Sequence, residues 1–394
     1  MTLLNKILIF AILLMLYFAA AVSMQDSLNA IALYVVLPGA FVLAFLYSKQ
    51  IAVNKYIGIL MLLYLWIFFT ALFSSDVAES GRHLKQIVGC VVLSYIFASL
   101  SKDEKTAPWL YLTYIISFSV MMYYVTNNLL NMIDVGEERA DDEKLNANAL
   151  AYYAFYVSFI VFIFGEVLRS GWLRAIFRVL FFGAIPLSFW IAYITASRQV
   201  LVIQIPLILI LLYCRYWRFG GKRSKFFVVA LCCSLIPIVH HYVLPMFEDS
   251  LLFERSQENL SEDGRALLIR ETVEMGMNNP FVGVGPGCVR FYTTERTFAH
   301  NTFLELFAGT GIIGMVLFAV LLWKFLTAQF RRYRATRDRM YLYFLIFGLL
   351  FVMDQTFYVF YSSMYLISFF ILVSSHSETY YRNRVLLAKN EMIE

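Results

Sequence analysis

Apolar runs of roughly 15–20 residues recur along the whole chain, broken by short polar or basic segments. Runs of that length match a helix crossing a hydrocarbon core of about 30 Å. Backbone polar groups cannot go unpaired in lipid, so such runs must form helices or a closed barrel. The strict alternation of a membrane barrel is missing here. The pattern predicts helical spans near residues 6–22, 28–47, 56–73, 87–100, 107–126, 148–168, 177–195, 200–214, 226–246, 301–323, 340–359 and 362–376. The predicted fold class is an all-α polytopic integral membrane protein of about 12 transmembrane helices, with one larger extracytoplasmic loop containing short helices.

Composition agrees with this pattern. Of the 394 residues, 61% are hydrophobic and 15% charged, with a mean hydropathy of +0.69; soluble domains carry roughly a quarter charged residues. The net charge of +5 is explained by where the charges sit. Assigning alternate connections to one side, beginning with the N-terminus, collects 22 of the 32 Lys and Arg. Basic residues gather in cytoplasmic loops, so that side is the cytoplasm and holds both termini. The dense clusters RYWRFGGKRSK and KFLTAQFRRYRATRDR fit anionic headgroups and require no nucleic acid. The first apolar run is followed by another span and not by a cleavage site, so it is not read as a cleavable signal. Cys90, Cys214, Cys232 and Cys233 lie in or near spans, leaving only Cys288 outside, which argues against a disulfide framework.

Four regions follow: a bundle over 1–246, an extracytoplasmic loop domain over 247–299, spans over 300–376 and a cytoplasmic tail over 377–394. The outer side has a second, acidic connection, NNLLNMIDVGEERADDEKLNAN. In the larger loop, GRALLIRETVEMGMNNP has helical spacing and stops at Asn279-Pro280, and a Gly-rich turn, FVGVGPG, follows. Ten basic residues face outward against the positive-inside bias, namely Arg82, Lys85, Arg139, Lys144, Arg198, Arg255, Arg265, Arg270, Arg290 and Arg296. Each is expected to be charge-paired or functional.

Among these, Arg198 in ITASRQVLV stands where two spans meet with almost no loop between them. An arginine at membrane depth normally faces a bundle interior or a wet cavity; a snorkelling interface residue is the bland alternative. Arg265 and Arg270 lie five residues apart on the loop helix, so they are not on one face. Glu262, Asp263, Glu271 and Glu274 are candidate partners for either. His300, with Asn301, closes the large loop at the outer lip of the tenth span. A continuous helix would put residues 300, 304, 308, 311 and 315 on one face. Ala308 and Gly311, with Gly314 beside them, would then form a small-residue stripe admitting another helix beneath His300. Weaker candidates are Gly283-Val284-Gly285, which lacks a strand-turn-helix context, and His240-His241, which lack metal-ligand spacing. Glu166, Glu305 and Asp354 are buried acids able to pair with arginine or relay protons. There is no Walker A sequence.

SRQVLV, GRALLIRETVEMGMNNPFVGVGPG and AHNTFLELFAGTGIIG resemble the signature blocks of the bacterial O-antigen ligase and O-antigen polymerase superfamily. The last fits the pattern H-N-x9-G-x-x-G at His300, Asn301, Gly311 and Gly314, and LNANALAYY is similar to a further block. These cover about 55 residues between Leu145 and Gly314. The resemblance implies a glycosyltransferase of the bacterial inner membrane with its active site facing the periplasm. It would take an undecaprenyl-pyrophosphate-linked oligosaccharide and transfer it to a glycan or a lipid A–core acceptor. By the same resemblance His300, Arg198 and Arg265 are catalytic, and Arg198, Arg265, Arg270 and Asn301 bind the donor pyrophosphate. Ile269 stands where family members often carry an aromatic, which leaves Arg265 and Arg270 open as the loop arginine. No cofactor and no metal are expected, because two fixed arginines can neutralise a pyrophosphate leaving group and histidine can deprotonate the acceptor hydroxyl. Single displacement would invert the anomeric centre. Membrane lipids and other polysaccharide-assembly proteins are further expected partners.

Two products fit this chemistry. A polymerase extends a lipid-linked repeat unit, and a ligase caps lipid A–core; the short outer loop favours the polymerase. A transporter or flippase is the rival from another class, with Asp354, Glu166 and Glu305 as ion-coupling acids. Against it stands the apparent lack of inverted repeats and of broken helices.

Overall fold

A computed structural model describes residues 3–21, 31–48, 54–130, 147–168, 171–238, 240, 241, 245, 264–357, 359 and 361–391. It is all-helical, with no strand among the described residues. In chain order the helices are α1 (Leu3–Ala21), α2 (Leu37–Ser48, entered through a π-helical turn), α3 (Lys55–Ala71), α4 (Val77–Leu100) and α5 (Ala107–Leu130). They continue with α6 (Ala147–Val167), α7 (Gly171–Ile194), α8 (Arg198–Leu212) and α9 (Lys222–Ile238), then α10 (Gly264–Asn278), α11 (Thr302–Thr336), α12 (Arg339–Gln355) and α13 (Met364–Glu391). Each predicted span falls on one of these helices. By length and composition α4, α7 and α11 are long and apolar enough to cross a membrane; several others are shorter apolar helices.

Helix ends depart from hydropathy ends for identifiable reasons. The fourth span was predicted to begin at residue 87, yet α4 starts at Val77. There the Asp76 side chain caps the helix by accepting the Glu79 N–H at 2.9 Å. α11 and α13 run past the predicted apolar ends at 323 and 376. Hydropathy marks where lipid would end; a helix whose polar residues find partners need not stop there. Arg332 donates to Glu378 at 2.8 Å and Gln329 to Ser377 at 3.0 Å, tying the two extensions together.

The chain divides into two compact units, one of residues 1–114 with 260–394 and the other of residues 115–259. In the first, α4 packs on α2 and α13, and α11 packs on α3, α10 and α12. Its core is aromatic: Phe325, Phe347, Phe351, Phe369 and Phe370 are fully buried around α11, α12 and α13. In the second, α6 packs on α7 and α8. Its α7, α8 and α9 each contain an internal proline, at Pro186, Pro206 and Pro237. Glu166 on α6 is buried and accepts from Arg215 at 2.6 Å, with Arg178 at 3.7 Å. Such pairing leaves this acid in an ion cluster rather than free to couple a transported ion.

Candidate functional site

α11 is not continuous. Gly311 has φ 75° and ψ −179°, so the helix breaks there and resumes at Ile312. An unbroken helix would bond the carbonyls of Ala308, Gly309 and Thr310 to the N–H groups four residues on. Each carbonyl has a replacement donor. Val284 N–H reaches Ala308 O at 2.9 Å, Gly285 N–H reaches Gly309 O at 3.0 Å, and the Trp66 indole on α3 reaches Thr310 O at 2.8 Å. The Ile312 N–H in turn donates to Pro280 O at 2.8 Å. Buried backbone groups must be paired, and here the Pro280–Gly285 loop supplies most of the partners.

This corrects the expected packing. The small residue at 311 admits the Pro280–Phe281 backbone, not a second helix, and a methyl group there would overlap the Phe281 carbonyl. Gly283 has φ 67°, and a side chain on it would overlap the Ala308–Gly309 backbone. Gly314 lies within contact of Trp66 on α3, and Ala308 is fully buried. The loop is wedged from its other side by the α3–α4 turn. Ser75 N–H and Oγ both donate to Val284 O, at 3.1 and 3.0 Å, and Ser80 Oγ donates to Pro286 O at 2.9 Å. Cys288 is buried beside Ser74 at 3.2 Å and carries a free thiol, as do Cys90, Cys214 and Cys233.

His300 sits just ahead of α11, half-buried, with φ 50°. It therefore lies off the helical face expected to align it with Ala308 and Gly311. Its backbone is pinned on both sides. Before it, the Ala299 N–H donates to Glu305 Oε2 at 3.0 Å. After it, Asn301 caps α11, its side-chain oxygen accepting from Phe303 N–H at 2.9 Å and Leu304 N–H at 3.1 Å. The Asn301 amide also donates to Thr356 O at 3.3 Å, while Thr302 Oγ1 donates to Gln355 at 2.8 Å. Asn301 thus caps α11 and ties its start to the end of α12. Buried Asp354 lies at that same α12 end.

Of the ten basic residues expected on the outer side, Arg290 and Arg82 are charge-paired, both to Glu79 on α4, at 2.6 and 3.0 Å. Arg265 opens α10 half-buried, and Arg270 is exposed on the same helix. Glu271, expected as an arginine partner, instead accepts from the Thr294 N–H at 3.0 Å and from the Thr294 hydroxyl. Those bonds hold its carboxyl below the usual range. Glu262 and Asp263 lie outside the described residues, as do Arg139, Lys144 and Arg255. Arg198 opens α8 after Ser197, and its side chain is also outside the described set. The His240 and His241 rings lie 5.1 Å apart and tilted by 57°, and no group of three metal-ligating side chains gathers among the described residues.

Residues 183–319 match the family model for O-antigen ligase. The match takes in Arg198, Arg265, His300 and the α11 break. It supports membership of the O-antigen ligase and polymerase superfamily. No curated protein matches the chain. Members of the O-antigen ligase family are glycosyltransferase-like enzymes, which implies a lipid-linked glycan donor and an acceptor, and the apolar helices agree with a membrane protein of polysaccharide biosynthesis.

Two features of the site lay outside the sequence reading. One is the loop plug in the α11 break, signalled by a Gly-rich turn and a Gly within an apolar run that were read separately. The other is Glu305, considered as an ion-coupling acid but not as a partner of the backbone next to His300.

Proposed function

We propose that this protein transfers a glycan from undecaprenyl pyrophosphate to an acceptor hydroxyl at the outer face of the inner membrane, as a repeat-unit polymerase of a surface polysaccharide. His300 is the general base that takes the proton from the acceptor hydroxyl as its oxygen attacks the anomeric carbon. The pyrophosphate leaves with its bonding electrons, and fixed guanidinium groups stabilise the developing charge. Arg265 has that role on α10, with Arg270 as the neighbouring alternative and Asn301 contributing its remaining amide hydrogen. Arg198 enters through the resemblance of SRQVLV and not through geometry. The displacement is single and inverts the anomeric centre, and the arginines do the work a divalent metal would otherwise do.

The observation that carries this proposal is His300 itself. It is a titratable residue held off the helix in a left-handed backbone by bonds on both flanks, inside the segment that matches the O-antigen ligase family. Non-glycine residues persist in that conformation only where the surroundings over-determine it, and such sites cluster at functional positions. The ion-coupled transporter gains nothing from the α11 break, because loop backbone and Trp66 fill it.

A deletion strain tests the reading. Polymerase loss leaves surface glycan of a single repeat. Ligase loss leaves none attached while lipid-linked chains accumulate, and that outcome assigns the acceptor as lipid A–core. Neither change, in a strain whose glycan is otherwise made, overturns the assignment.

A further inference from the structure

We propose that Glu305 is the positioning residue of His300, fixing the orientation of the imidazole through the backbone; this rests on the reading of His300 as the base. Glu305 is on the first turn of α11, with 1% of its surface exposed. Burying a carboxyl there is costly unless it makes hydrogen bonds. Its Oε2 accepts the Ala299 N–H at 3.0 Å, folding the side chain back over the helix entrance. Ala299 is the residue immediately before His300 and is itself buried. With Ala299 held on one side and Asn301 capping on the other, the intervening residue has φ 50°. That conformation is strained for an L-residue that is not glycine, so it will relax when one pin is released.

Arg290 braces the segment that the carboxyl holds. It is fixed by Glu79 at 2.6 Å and lies over the Phe291 and Phe298 rings at 5.1 and 5.7 Å, and Phe298 directly precedes Ala299. The other Glu305 oxygen has no hydrogen-bond partner among the described residues. The bond that holds the acid is therefore the one directed at the backbone just before the base.

The test uses the full chain in membranes with a polyprenyl-pyrophosphate-linked glycan as donor. Glu305→Ala should lower kcat by roughly 10²-fold, the scale of loss when a reacting group is displaced by about 1 Å, while the donor KM stays within about twofold. Glu305→Gln retains an oxygen able to accept the Ala299 N–H and should restore kcat to near wild type. Its thermal midpoint should match wild type, so that Glu305→Gln still tests the proposal if Glu305→Ala fails to fold. In a His300→Ala background, adding Glu305→Ala should change turnover little, because both act through one group. Wild-type kcat in Glu305→Ala overturns the proposal, as does a Glu305→Gln enzyme that folds normally yet is as slow as Glu305→Ala. Full turnover of His300→Ala overturns the assignment of the base and this inference together. A dead His300→Ala enzyme beside a fully active Glu305→Ala enzyme overturns the inference alone.

Discussion

The carbonyl oxygen of Pro280 accepts the Ile312 N–H at 2.8 Å, so a residue of the loop after α10 completes a hydrogen bond that α11 does not make for itself. With Val284 and Gly285 bonding the carbonyls of Ala308 and Gly309, the loop becomes part of the helix at its break. Structure in the loop and structure in the helix are one cooperative unit, which makes their stabilities inseparable.

Gly311→Ala should therefore destabilise far more than a glycine-to-alanine change in an ordinary helix, where alanine is favoured. The φ of 75° and the overlap with the Phe281 carbonyl both oppose a side chain. A loss of about 2 kcal/mol or more is expected, and Gly311→Leu should also lower folding yield. Thermal unfolding of the purified variants in detergent checks this. A Gly311→Ala midpoint at or above wild type would show that α11 can close the break on its own.

Arg198→Ala and Arg265→Ala are each expected to abolish transfer while leaving the protein inserted. Arg198→Lys should also be poor, because a point charge does not reproduce the planar fork on a pyrophosphate. Arg270 is exposed on α10, so Arg270→Ala should stay within a few-fold of wild type, as surface substitutions usually do. Turnover with lipid-linked donor separates these outcomes, and the reverse order for Arg265 and Arg270 would move the donor contact one turn along α10.

How much of this was legible beforehand follows from what each signal measures. Among the described residues, the apolar runs fall on helices, because a long apolar stretch that must pair its own backbone groups has few other ways to do so. The position of His300 at the lip of α11 was legible for the same reason. The break at Gly311 was not, because a glycine in an apolar run has two physical uses, close packing of a second helix and a left-handed kink. Only the partner decides between them, and that partner, Pro280, is 31 positions earlier in the chain. The pairing of Arg290 with Glu79 spans 211 positions and was equally out of reach. The family resemblance makes Asn301 a donor ligand, and the structure shows a second use for it. The Ser, Thr, Asn or Asp that precedes a helix is more often its cap, and the two N–H groups it accepts fit that rule.

A pH effect follows from Glu271. Its carboxyl is held below its usual value of 4.5 by the Thr294 hydroxyl and N–H. A depressed carboxyl contributes its stabilisation above its unfolded value and loses it as pH falls through the folded one. The bond between α10 and the Thr294 turn should therefore be intact at neutral pH and fade below about pH 4.5. The protection factor of the Thr294 amide, measured against its intrinsic exchange rate, should fall on acidification, and Glu271→Ala should show the lower protection already at neutral pH. An amide whose protection factor in wild type stays the same from pH 7 down to pH 2 would contradict this coupling.

Turnover should survive EDTA, since the proposed arginines and no divalent ion neutralise the leaving pyrophosphate. Loss of activity on chelation, restored by Mg²⁺ or Mn²⁺, would assign that charge to a metal site.

His300→Ala should lose roughly 10²–10⁴-fold in kcat, the usual contribution of a positioned proton acceptor. Donor affinity should change little, because the pyrophosphate is assigned to guanidinium groups and not to the imidazole. Wild-type kcat should fall on acidification, since protonating the imidazole removes the base. The variant's residual rate should lack that acid limb. Asn301→Ala tests the same turn from its other flank. It deletes the cap on Phe303 and Leu304, at a cost of about 1 kcal/mol in stability, and removes the proposed amide contact to the donor, while leaving the imidazole in the protein. Its kcat should therefore fall with the acid limb still present. Donor affinity and turnover on the two purified variants decide the matter. Intact turnover in His300→Ala with lowered stability makes His300 a structural residue of the α11 entrance. Collapse of donor affinity makes it a phosphate ligand, with the base elsewhere.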